Sequence, residues 1–388
     1  MRGMIPLFLL LAACSASSRA PERVAIPGTP FSFEVVTLAC GTLRPFKMGT
    51  REVTWNEFNA FFESKAQGMD GETRPTMAIS YFGQVGVPQN FLEPKKPVTN
   101  VRWHSAMAYC GWLSTKTGAY YRLPTEMEWE VAARAGNADA APGELDDLAW
   151  HKGNSQGRTH EGGEKKPNAF GLHDMLGNLW EYCLEFQSGS EFVPVLRGGC
   201  WSTPTARILF DRRQNVPLSW FEDDPNLPRS VWWLTSKDVS QGFRVVCIAD
   251  ASDRKEREAY ALKIEVKVSG SREKMVRTES AQAFFTEVTG EIRNGGDRIL
   301  DEVELLIHYL DPKGKPHLAD LSGANKAGQA TFSRSWPVLA NRLHDDRQSF
   351  KPGETRKFVI DIPQSFDSDD EVDRKKFGGR VTNLRFEK

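Results

Sequence analysis

The residues of this chain that could support redox or metal chemistry are its six cysteines. They are Cys14, Cys40, Cys110, Cys183, Cys200 and Cys247. No two are spaced as CxxC, and none is spaced with a histidine as in the common metal sites. His104, His151, His160 and His173 show no pairing with a nucleophile at a recognisable spacing. Because GxSxG, Walker and HExxH motifs are also missing from the sequence, the standard signatures of hydrolases and nucleotide-binding enzymes are not present.

Cys14 follows a segment typical of an export signal. Arg2 gives a positive start, and residues 4–13 are apolar but too few to span a bilayer. The segment ends in Leu-Ala-Ala-Cys, which resembles a bacterial lipobox, so we expect a lipid anchor on Cys14 and a place in the bacterial cell envelope. Two or three acyl chains would anchor the protein stably, whereas one alone binds marginally. The alternative is an ordinary signal that contains a cysteine, giving a secreted or periplasmic protein.

Two capping boxes predict helix starts. In a capping box, the first residue accepts a hydrogen bond from the amide of the fourth, whose side chain reaches back. Thr54 with Glu57 opens one helix, and Thr125 with Glu128 opens a shorter one that runs through Arg134. A third helix, ending before Gly118, is predicted by apolar residues repeating at i, i+3, i+4 and i+7. These residues are Ala106, Tyr109, Cys110 and Leu113.

The length and charge pattern divide the chain into four parts. At about 100–200 residues per domain, 388 residues suggest two or three units. We predict a signal with tether at 1–24, a first domain at 25–249, a charged linker at 250–258 and a second domain at 259–388. The second domain alternates apolar and charged residues and contains Pro-Gly turns, which is typical of an immunoglobulin-like β-sandwich. A net charge of −1 gives no indication of a nucleic-acid partner.

Four stretches, in order, resemble the formylglycine-generating-enzyme (sulfatase-modifying-factor) family. The first is Met-Gly-Thr-Arg-Glu-Val-Thr at 48–54, and the second runs over 97–136 and includes Tyr-Arg-Leu-Pro-Thr-Glu-Met-Glu-Trp-Glu. The third is Pro-Asn-Ala-Phe-Gly-Leu-His-Asp-Met-Leu-Gly-Asn-Leu-Trp-Glu at 167–181, and the fourth is Leu-Arg-Gly-Gly-Cys-Trp at 196–201, closed by Gly-Phe-Arg at 242–244. The resemblance implies an irregular α+β domain related to the C-type lectin fold, followed here by the all-β sandwich.

The resemblance also implies where catalysis would occur. Active members hold copper(I) on two cysteines, four and nine positions after the second glycine of the Gly-Gly pair, because soft thiolates select copper(I). Those positions hold Thr203 and Ile208 in this chain, so copper binding is not expected. Cys200 stands where the family usually has serine. It is either a serine-to-cysteine replacement in a packed strand or a reactive thiol that acts as the catalytic residue.

A structural calcium ion is the cofactor that the resemblance predicts. Its ligands would be the Asp174 and Glu181 carboxylates and the Gly177 and Leu179 carbonyl oxygens, which are the hard oxygen ligands that calcium takes. Alternatively, Asp174 caps a turn and Glu181 pairs with an arginine. A second family site would use Asn154 and the Ser155 carbonyl, but its acidic partner falls in a shortened loop.

Other residues of the matching stretches are expected to have structural roles. The resemblance suggests a disulfide between Cys110 and Cys247, although Cys247 lies two residues beyond the usual position. Four tryptophans are expected to pack between loops: Trp103, Trp129, Trp180 and Trp201. Three charged residues are expected to form internal ion pairs: Arg122, Glu128 and Arg134. A late loop containing Trp220, Asp223, Asp224, Trp232 and Trp233 is a candidate ligand groove; alternatively, its tryptophans are buried.

Three functions are compatible with these features. The chain could be a formylglycine-generating oxidase, a non-catalytic envelope module that binds an exported protein, peptide or envelope glycan, or a structural subunit of an envelope assembly. The replaced copper cysteines favour the non-catalytic module. An iron-dependent sulfoxide synthase is not favoured, because no helical domain with iron-binding histidines precedes this one.

Overall fold

The computed structural model describes eleven stretches of the chain. They are 14–16, 20–40, 43–66, 86–135, 145–186, 194–214, 239–277, 282–310, 334–336, 349–363 and 373–386. The chain divides into two compact units. The first consists of 1–62, 76–117 and 121–248, and the second of 63–75, 118–120 and 249–388. Among the described helices, none is both long and apolar enough to cross a bilayer.

The part of the chain before Asp250 contains nine described strands and four described α-helices. The strands are β1 (Cys14–Ala16), β2 (Glu22–Ala25), β3 (Ser32–Cys40), β4 (Leu43–Gly49), β5 (Tyr120–Arg122), β6 (Trp180–Phe186), β7 (Pro194–Arg197), β8 (Gln241–Gly242) and β9 (Val246–Ala249). The helices are α1 (Trp55–Ala66), α2 (Trp103–Thr117), α3 (Glu126–Arg134) and α4 (Leu145–Leu148). One sheet has the order β1-β3-β4-β9-β5 with β2 also on β3, and a smaller sheet has the order β7-β6-β8.

The three predicted helices are present as α1, α2 and α3, and both capping boxes form. The Thr54 amide donates to Glu57 Oε2 at 2.9 Å, and the Thr125 amide donates to Glu128 Oε2 at 2.8 Å. In the second box the Glu128 amide also donates to Thr125 Oγ1, at 3.1 Å. These bonds satisfy backbone groups that a helix start otherwise leaves unpaired.

The aromatic faces of α1 and α2 form the core of the first unit. Phe58 stacks on Tyr109 with ring centroids 6.0 Å apart, and Phe243 meets Tyr109 at 5.5 Å. Phe61 packs on Trp112 at 5.7 Å. All five side chains are buried. Because aromatic pairs of this kind stabilise beyond their buried area, they hold the helices against the strand segment that follows β8.

The predicted tether at residues 15–24 is wrong over part of its length. Cys14–Ala16 forms β1, and Glu22–Ala25 forms β2, and both pair antiparallel with β3. Strand pairing uses backbone groups only, so small and polar residues can take part in it without burying side chains. Composition alone therefore misidentified this segment.

The predicted linker at 250–258 is also wrong, because these residues are largely helical. A short 3₁₀ turn (Ala251–Asp253) leads into α5 (Arg254–Ala261). Arg257 donates to Asp253 Oδ1 at 2.7 Å and to the Gly118 carbonyl at 2.8 Å. The Tyr260 hydroxyl donates to Asn294 Oδ1 at 3.1 Å. These contacts form within the second unit, so the segment is a packed part of it.

The second unit continues as two three-stranded antiparallel sheets. The strands are β10 (Ile264–Arg277), β11 (Gln282–Asn294), β12 (Leu300–Leu310), β13 (Arg334–Trp336), β14 (Thr355–Pro363) and β15 (Asp373–Phe386). Their orders are β10-β11-β14 and β13-β12-β15. Both sheets contribute buried apolar side chains: Val288 and Ile292 from β11, Leu305 from β12 and Leu384 from β15. The predicted α+β fold class is confirmed, and the second unit adds these two sheets to helix α5.

The predicted disulfide between Cys110 and Cys247 does not form in this structure, in which both residues are buried thiols. A disulfide requires Cα atoms within about 7 Å of each other. Moving two residues along a strand displaces the Cα by about 6.5 Å, which is nearly that whole range. The two-residue offset of Cys247 from the family position is therefore a sufficient reason.

Candidate functional site

A cleft of about 510 Å³ lies beside the segment that follows β7. Its lining includes Cys200, Trp201, Ser202, Thr203, Arg207 and Arg212. Phe91, Val239 and Ser240 line it as well. The volume falls within the roughly 300–1,000 Å³ of small-ligand sites. Cys200, the predicted catalytic residue, therefore lines a described cavity of ligand-binding size.

The Gly198-Gly199 pair sets the course of this segment. Both residues have positive φ, 96° and 85°, which favours glycine. A Cβ on Gly198 would lie 2.9 Å from the Met175 carbonyl oxygen and 3.0 Å from the Trp129 ring. Glycine is thus required by both conformation and space, and it turns the chain from β7 into the cleft wall.

Thr203 and Ile208, which occupy the copper-cysteine positions, converge beside Gly199. A Cβ on Gly199 would lie 3.2 Å from Ile208 Cγ1 and 3.6 Å from Thr203 Cγ2. Both side chains are buried. The structure thus brings the two positions together, but it places an aliphatic group and a hydroxyl there, and neither replaces a thiolate as a ligand for copper(I).

The Cys200 thiol is enclosed by hydroxyl groups. Its Sγ lies 3.2 Å from Ser202 Oγ and 3.4 Å from Thr203 Oγ1. The Cys200 amide donates to Thr203 Oγ1 at 3.0 Å. The residue is 2% exposed. It lies in a packed turn, as expected for a serine replacement, while its side chain still borders the cleft.

Of the four tryptophans expected to pack between loops, Trp103, Trp129 and Trp180 are buried, whereas Trp201 is only half-buried and forms a wall of the cleft. Its ring lies 5.4 Å from that of Phe91, and its Nε1 donates to the Val239 carbonyl at 3.2 Å. These contacts fix the ring, so the cleft has a preformed aromatic surface.

A buried carboxylate cluster lies next to Trp129, whose ring also lies close to Gly198. Glu181 in β6 pairs with Arg244, which follows β8, at 2.6 Å and is 1% exposed as a side chain. Glu181 Oε2 also accepts from Trp129 Nε1 at 2.8 Å. The arginine pairing that the sequence left open as an alternative role of Glu181 is therefore present.

Asp174 and Glu52 add two more carboxylates to this cluster. Asp174 Oδ2 accepts from the Gly163 amide at 2.8 Å, while Asp174 Oδ1 and Glu52 Oε1 are buried without a hydrogen-bond partner among the described residues. Burial raises the pKa of Asp174 to about 6, and burial together with the neighbouring Asp174 and Glu181 raises the pKa of Glu52. Arg244 thus interacts with all three carboxylates, and Arg51 adds a second guanidinium near Asp174.

Two of the four predicted calcium ligands, Asp174 and Glu181, keep an unused acceptor position. A carboxylate has about four lone-pair positions, and Glu181 uses three of them, for Arg244 Nε, Arg244 Nη2 and Trp129 Nε1. One remains, and Asp174 Oδ1 is unused. Among the described residues, no three Asp, Glu, His or Cys side chains are grouped so that they could hold a metal ion. The predicted calcium site requires only two such side chains, because its other two ligands are the backbone carbonyls of Gly177 and Leu179. Calcium therefore stays a prediction.

The second calcium site is less well supplied. Asn154 Oδ1 accepts from the His151 amide at 2.8 Å, and Asn154 Nδ2 donates to the Ala149 carbonyl at 3.0 Å. The Ser155 carbonyl bonds to His160 Nε2 at 2.8 Å. Because both predicted ligand oxygens already accept hydrogen bonds from the protein, we expect no cation here.

One histidine contact was missed from the sequence. His151 Nε2 lies 2.7 Å from Asp146 Oδ1, and His151 Nδ1 lies 3.3 Å from Thr205 Oγ1. The arrangement resembles a carboxylate, base and hydroxyl, but the Gly153 amide donates to the same Nδ1 at 3.1 Å. That lone pair is used, so His151 is not poised as a base for Thr205.

Other predicted residues fall into two groups. Arg122 pairs with Glu128 at 2.7 Å, and Arg134 pairs with Glu130 at 2.9 Å, so these residues hold loops and helix α3 in place. The late loop with Trp220, Asp223, Asp224, Trp232 and Trp233 lies outside the described residues.

The chain matches the sulfatase-modifying-factor family of proteins over most of its first unit. The chain belongs to this family, because residues 11–224 match the model of the sulfatase-modifying factor enzyme 1-like domain.

The chain is similar to both active and inactive relatives. It is 37% identical over 112 residues to the formylglycine-generating enzyme of Thermomonospora curvata, covering 24% of this chain and 35% of that protein. It is 35% identical over 129 residues to the inactive C-alpha-formylglycine-generating enzyme 2 of Bos taurus, covering 27% of this chain and 38% of that protein. The chain thus matches little more than a third of the length of either relative.

A further relative is matched over most of its length. The chaperone protein LppX of Paenibacillus barcinonensis is 26% identical over 263 residues, covering 53% of this chain and 91% of that protein. Among solved structures, Treponema denticola variable protein 1 superposes with a TM-score of 0.41 at 22% identity, covering 59% of this chain and 99% of that one.

Proposed function

We propose that this chain is a cell-envelope member of the sulfatase-modifying-factor family that lacks copper-dependent formylglycine generation and binds an exported partner through its cleft. The observation that carries the proposal is the pair of buried side chains beside Gly199. Thr203 and Ile208 lie together at the positions that the copper-binding cysteines occupy in active members. Ile208 packs so close to Gly199 that a Cβ added to this glycine would lie 3.2 Å from Ile208 Cγ1.

The lining of the cleft is suited to binding a ligand without catalysing a reaction on it. It has a fixed aromatic wall in Trp201, hydroxyls in Ser202 and Ser240, and the guanidinium groups of Arg207 and Arg212. A few polar groups on a largely preformed concave surface are typical of a recognition site. The similarity to a relative named an inactive formylglycine-generating enzyme supports this proposal.

Copper(I) binding by the full chain in detergent tests the loss of catalysis. We expect no stoichiometric copper(I) binding and no oxygen uptake with a Cys-containing sulfatase peptide, because Cys200 alone cannot supply two thiolates. The double variant Thr203→Cys/Ile208→Cys restores both ligand positions and is expected to bind copper(I).

Cys200→Ser is the matched control. It removes the cleft thiol and is expected to leave the copper assay of the unmodified chain unchanged. Stoichiometric copper(I) binding with peptide oxidation, both lost in Cys200→Ser, would instead establish the alternative function, an oxygen-dependent reaction that uses Cys200.

The envelope location has a separate test. In a bacterium grown with labelled palmitate, we expect label in the full chain and none in Cys14→Ser, since Cys14 is the residue that the lipobox would modify. Cys40→Ser removes another cysteine and is the control. Export without label would favour the secreted or periplasmic alternative.

A further inference from the structure

Two arginines of the cleft differ from the other described arginines around it. Arg207 lies in the 3₁₀ turn after Thr203, and Arg212 lies a few residues later. Both are exposed, and neither guanidinium has a hydrogen-bond or ion-pair partner among the described residues. By contrast, Arg197 pairs with Glu126 and Glu130, and Arg213 pairs with Glu126.

The described cleft lining contains no acidic residue to balance these two charges. Its other polar members are hydroxyls, an amide side chain and the Cys200 thiol. A concave surface that carries charge of one sign raises the local concentration of ligands of the opposite sign. The cleft is therefore suited to an anionic ligand.

The remaining lining is apolar. Pro88, Phe91 and Val239 border the cleft together with the Trp201 ring. Carboxylates bind guanidinium groups through charge-assisted hydrogen bonds, while the rings and aliphatic groups favour apolar side chains. An acidic polysaccharide offers carboxylates and ring faces that can stack on Trp201, but no large apolar side chain to pack against Pro88, Phe91 and Val239. A peptide with acidic residues next to apolar ones matches both parts of the lining.

We infer that the cleft binds an acidic peptide segment of an exported protein, with Arg207 and Arg212 contacting its carboxylates and Trp201 contacting an apolar side chain. This inference rests on the proposed binding function and names its ligand class. The length of peptide that fits is a few residues, given the cleft volume of about 510 Å³.

Fluorescence anisotropy with a defined peptide tests the inference. The probe is a fluorescein-labelled nonapeptide in which three glutamates alternate with phenylalanine and leucine, and the comparison peptide has glutamine in place of each glutamate. We expect saturable binding of the acidic peptide by the full chain, weakened at higher salt. In Arg207→Ala/Arg212→Ala, Kd should rise roughly tenfold or more, since two charge-assisted contacts are lost.

The matched control is Arg23→Ala/Lys116→Ala, which removes the same net charge at two exposed residues outside the cleft lining. Its Kd should equal that of the unmodified chain. Equal binding of the glutamine peptide, equal weakening in the control, or binding of polygalacturonate in place of the peptide would each overturn the inference. None of these peptide-binding results depends on copper. They can therefore contradict the peptide inference whether or not the copper assay supports the proposed absence of oxidase activity.

Discussion

Glu57 shows how one buried side chain can couple the fold to pH. The carboxylate closes the first capping box, and burial raises its pKa to about 7 from 4.5. The folded state therefore binds this proton more tightly than the unfolded state. The stabilising effect of the proton is complete below about pH 4.5 and is lost as the pH rises through about 7.

We predict that Glu57→Gln reduces the fall in Tm between pH 5 and pH 8. Glutamine keeps an oxygen that can accept from the Thr54 amide, so the helix start is preserved. Thermal unfolding followed by circular dichroism in excess EDTA measures the effect without a contribution from bound cations. Glu34→Gln, which changes an exposed carboxylate of β3, is the control. An unchanged pH slope in Glu57→Gln would show that this proton does not contribute.

At the scale of one element, helix α3 depends on its N-terminal cap. The Glu128 amide donates to Thr125 Oγ1, and Glu128 in turn pairs with the buried Arg122. We predict that Thr125→Ala lowers the free energy of unfolding by about 1 kcal/mol, as is typical for the loss of an N-cap. Urea unfolding measures the loss.

The control for this cap is Thr115→Ala in helix α2. Thr115 is exposed, and its hydroxyl donates to the Gly111 carbonyl four residues earlier at 3.0 Å. Because such a bond to an already paired carbonyl adds little to helix stability, we expect a much smaller change. Equal losses in the two variants would mean that the cap contributes nothing specific.

Local patterns were the part of the fold that could be predicted from the sequence. Capping boxes and helix periodicity depend on residues within one or two turns, so Thr54, Thr125 and the Tyr109 face were identified correctly. Residues 250–258 were not, because Arg257 is buried by contacts with Gly118, over 130 residues away in the chain. No local pattern contains that contact.

The candidate site was predictable only through its motifs. The Gly-Gly pair located the turn that carries Cys200, Thr203 and Ile208. The buried cluster was only partly foreseen. Asp174 and Glu181 were named, but Glu52 and Arg244 reach the same place from segments far apart in the chain, and such contacts are a tertiary property. That Arg207 and Arg212 have no partner among the described residues likewise depends on how the fold places the described carboxylates.

At the scale of the whole molecule, the predicted calcium ion should stabilise the first of the two units only. Three buried carboxylates there lie near two arginines, Arg244 and Arg51, so a divalent cation would offset the negative charge that remains when all three are ionised. We predict that calcium raises the Tm of the first unit and that EDTA lowers it. Tryptophan fluorescence follows this unit selectively, because ten of the eleven tryptophans precede residue 249.

The matched variant for calcium is Asp174→Asn, which keeps an oxygen acceptor and removes one negative charge. We expect its Tm to respond much less to calcium than that of the unmodified chain. Asp147→Asn, which changes an exposed carboxylate of α4, is the control. Equal responses of all three proteins to calcium would place the ion elsewhere or show a general ionic effect.

The pairing of β1 with β3 has a consequence for how the molecule would meet a membrane. Cys14 is opposite Cys40 in this pairing, so the backbone at Cys14 is already part of the six-stranded sheet. Lipoproteins held by a long flexible leash can sample a broad shell of solution. If acyl chains were attached to Cys14, almost no flexible segment would separate them from the first unit. That unit would then lie at the bilayer surface, where it would meet partners that are themselves at the membrane.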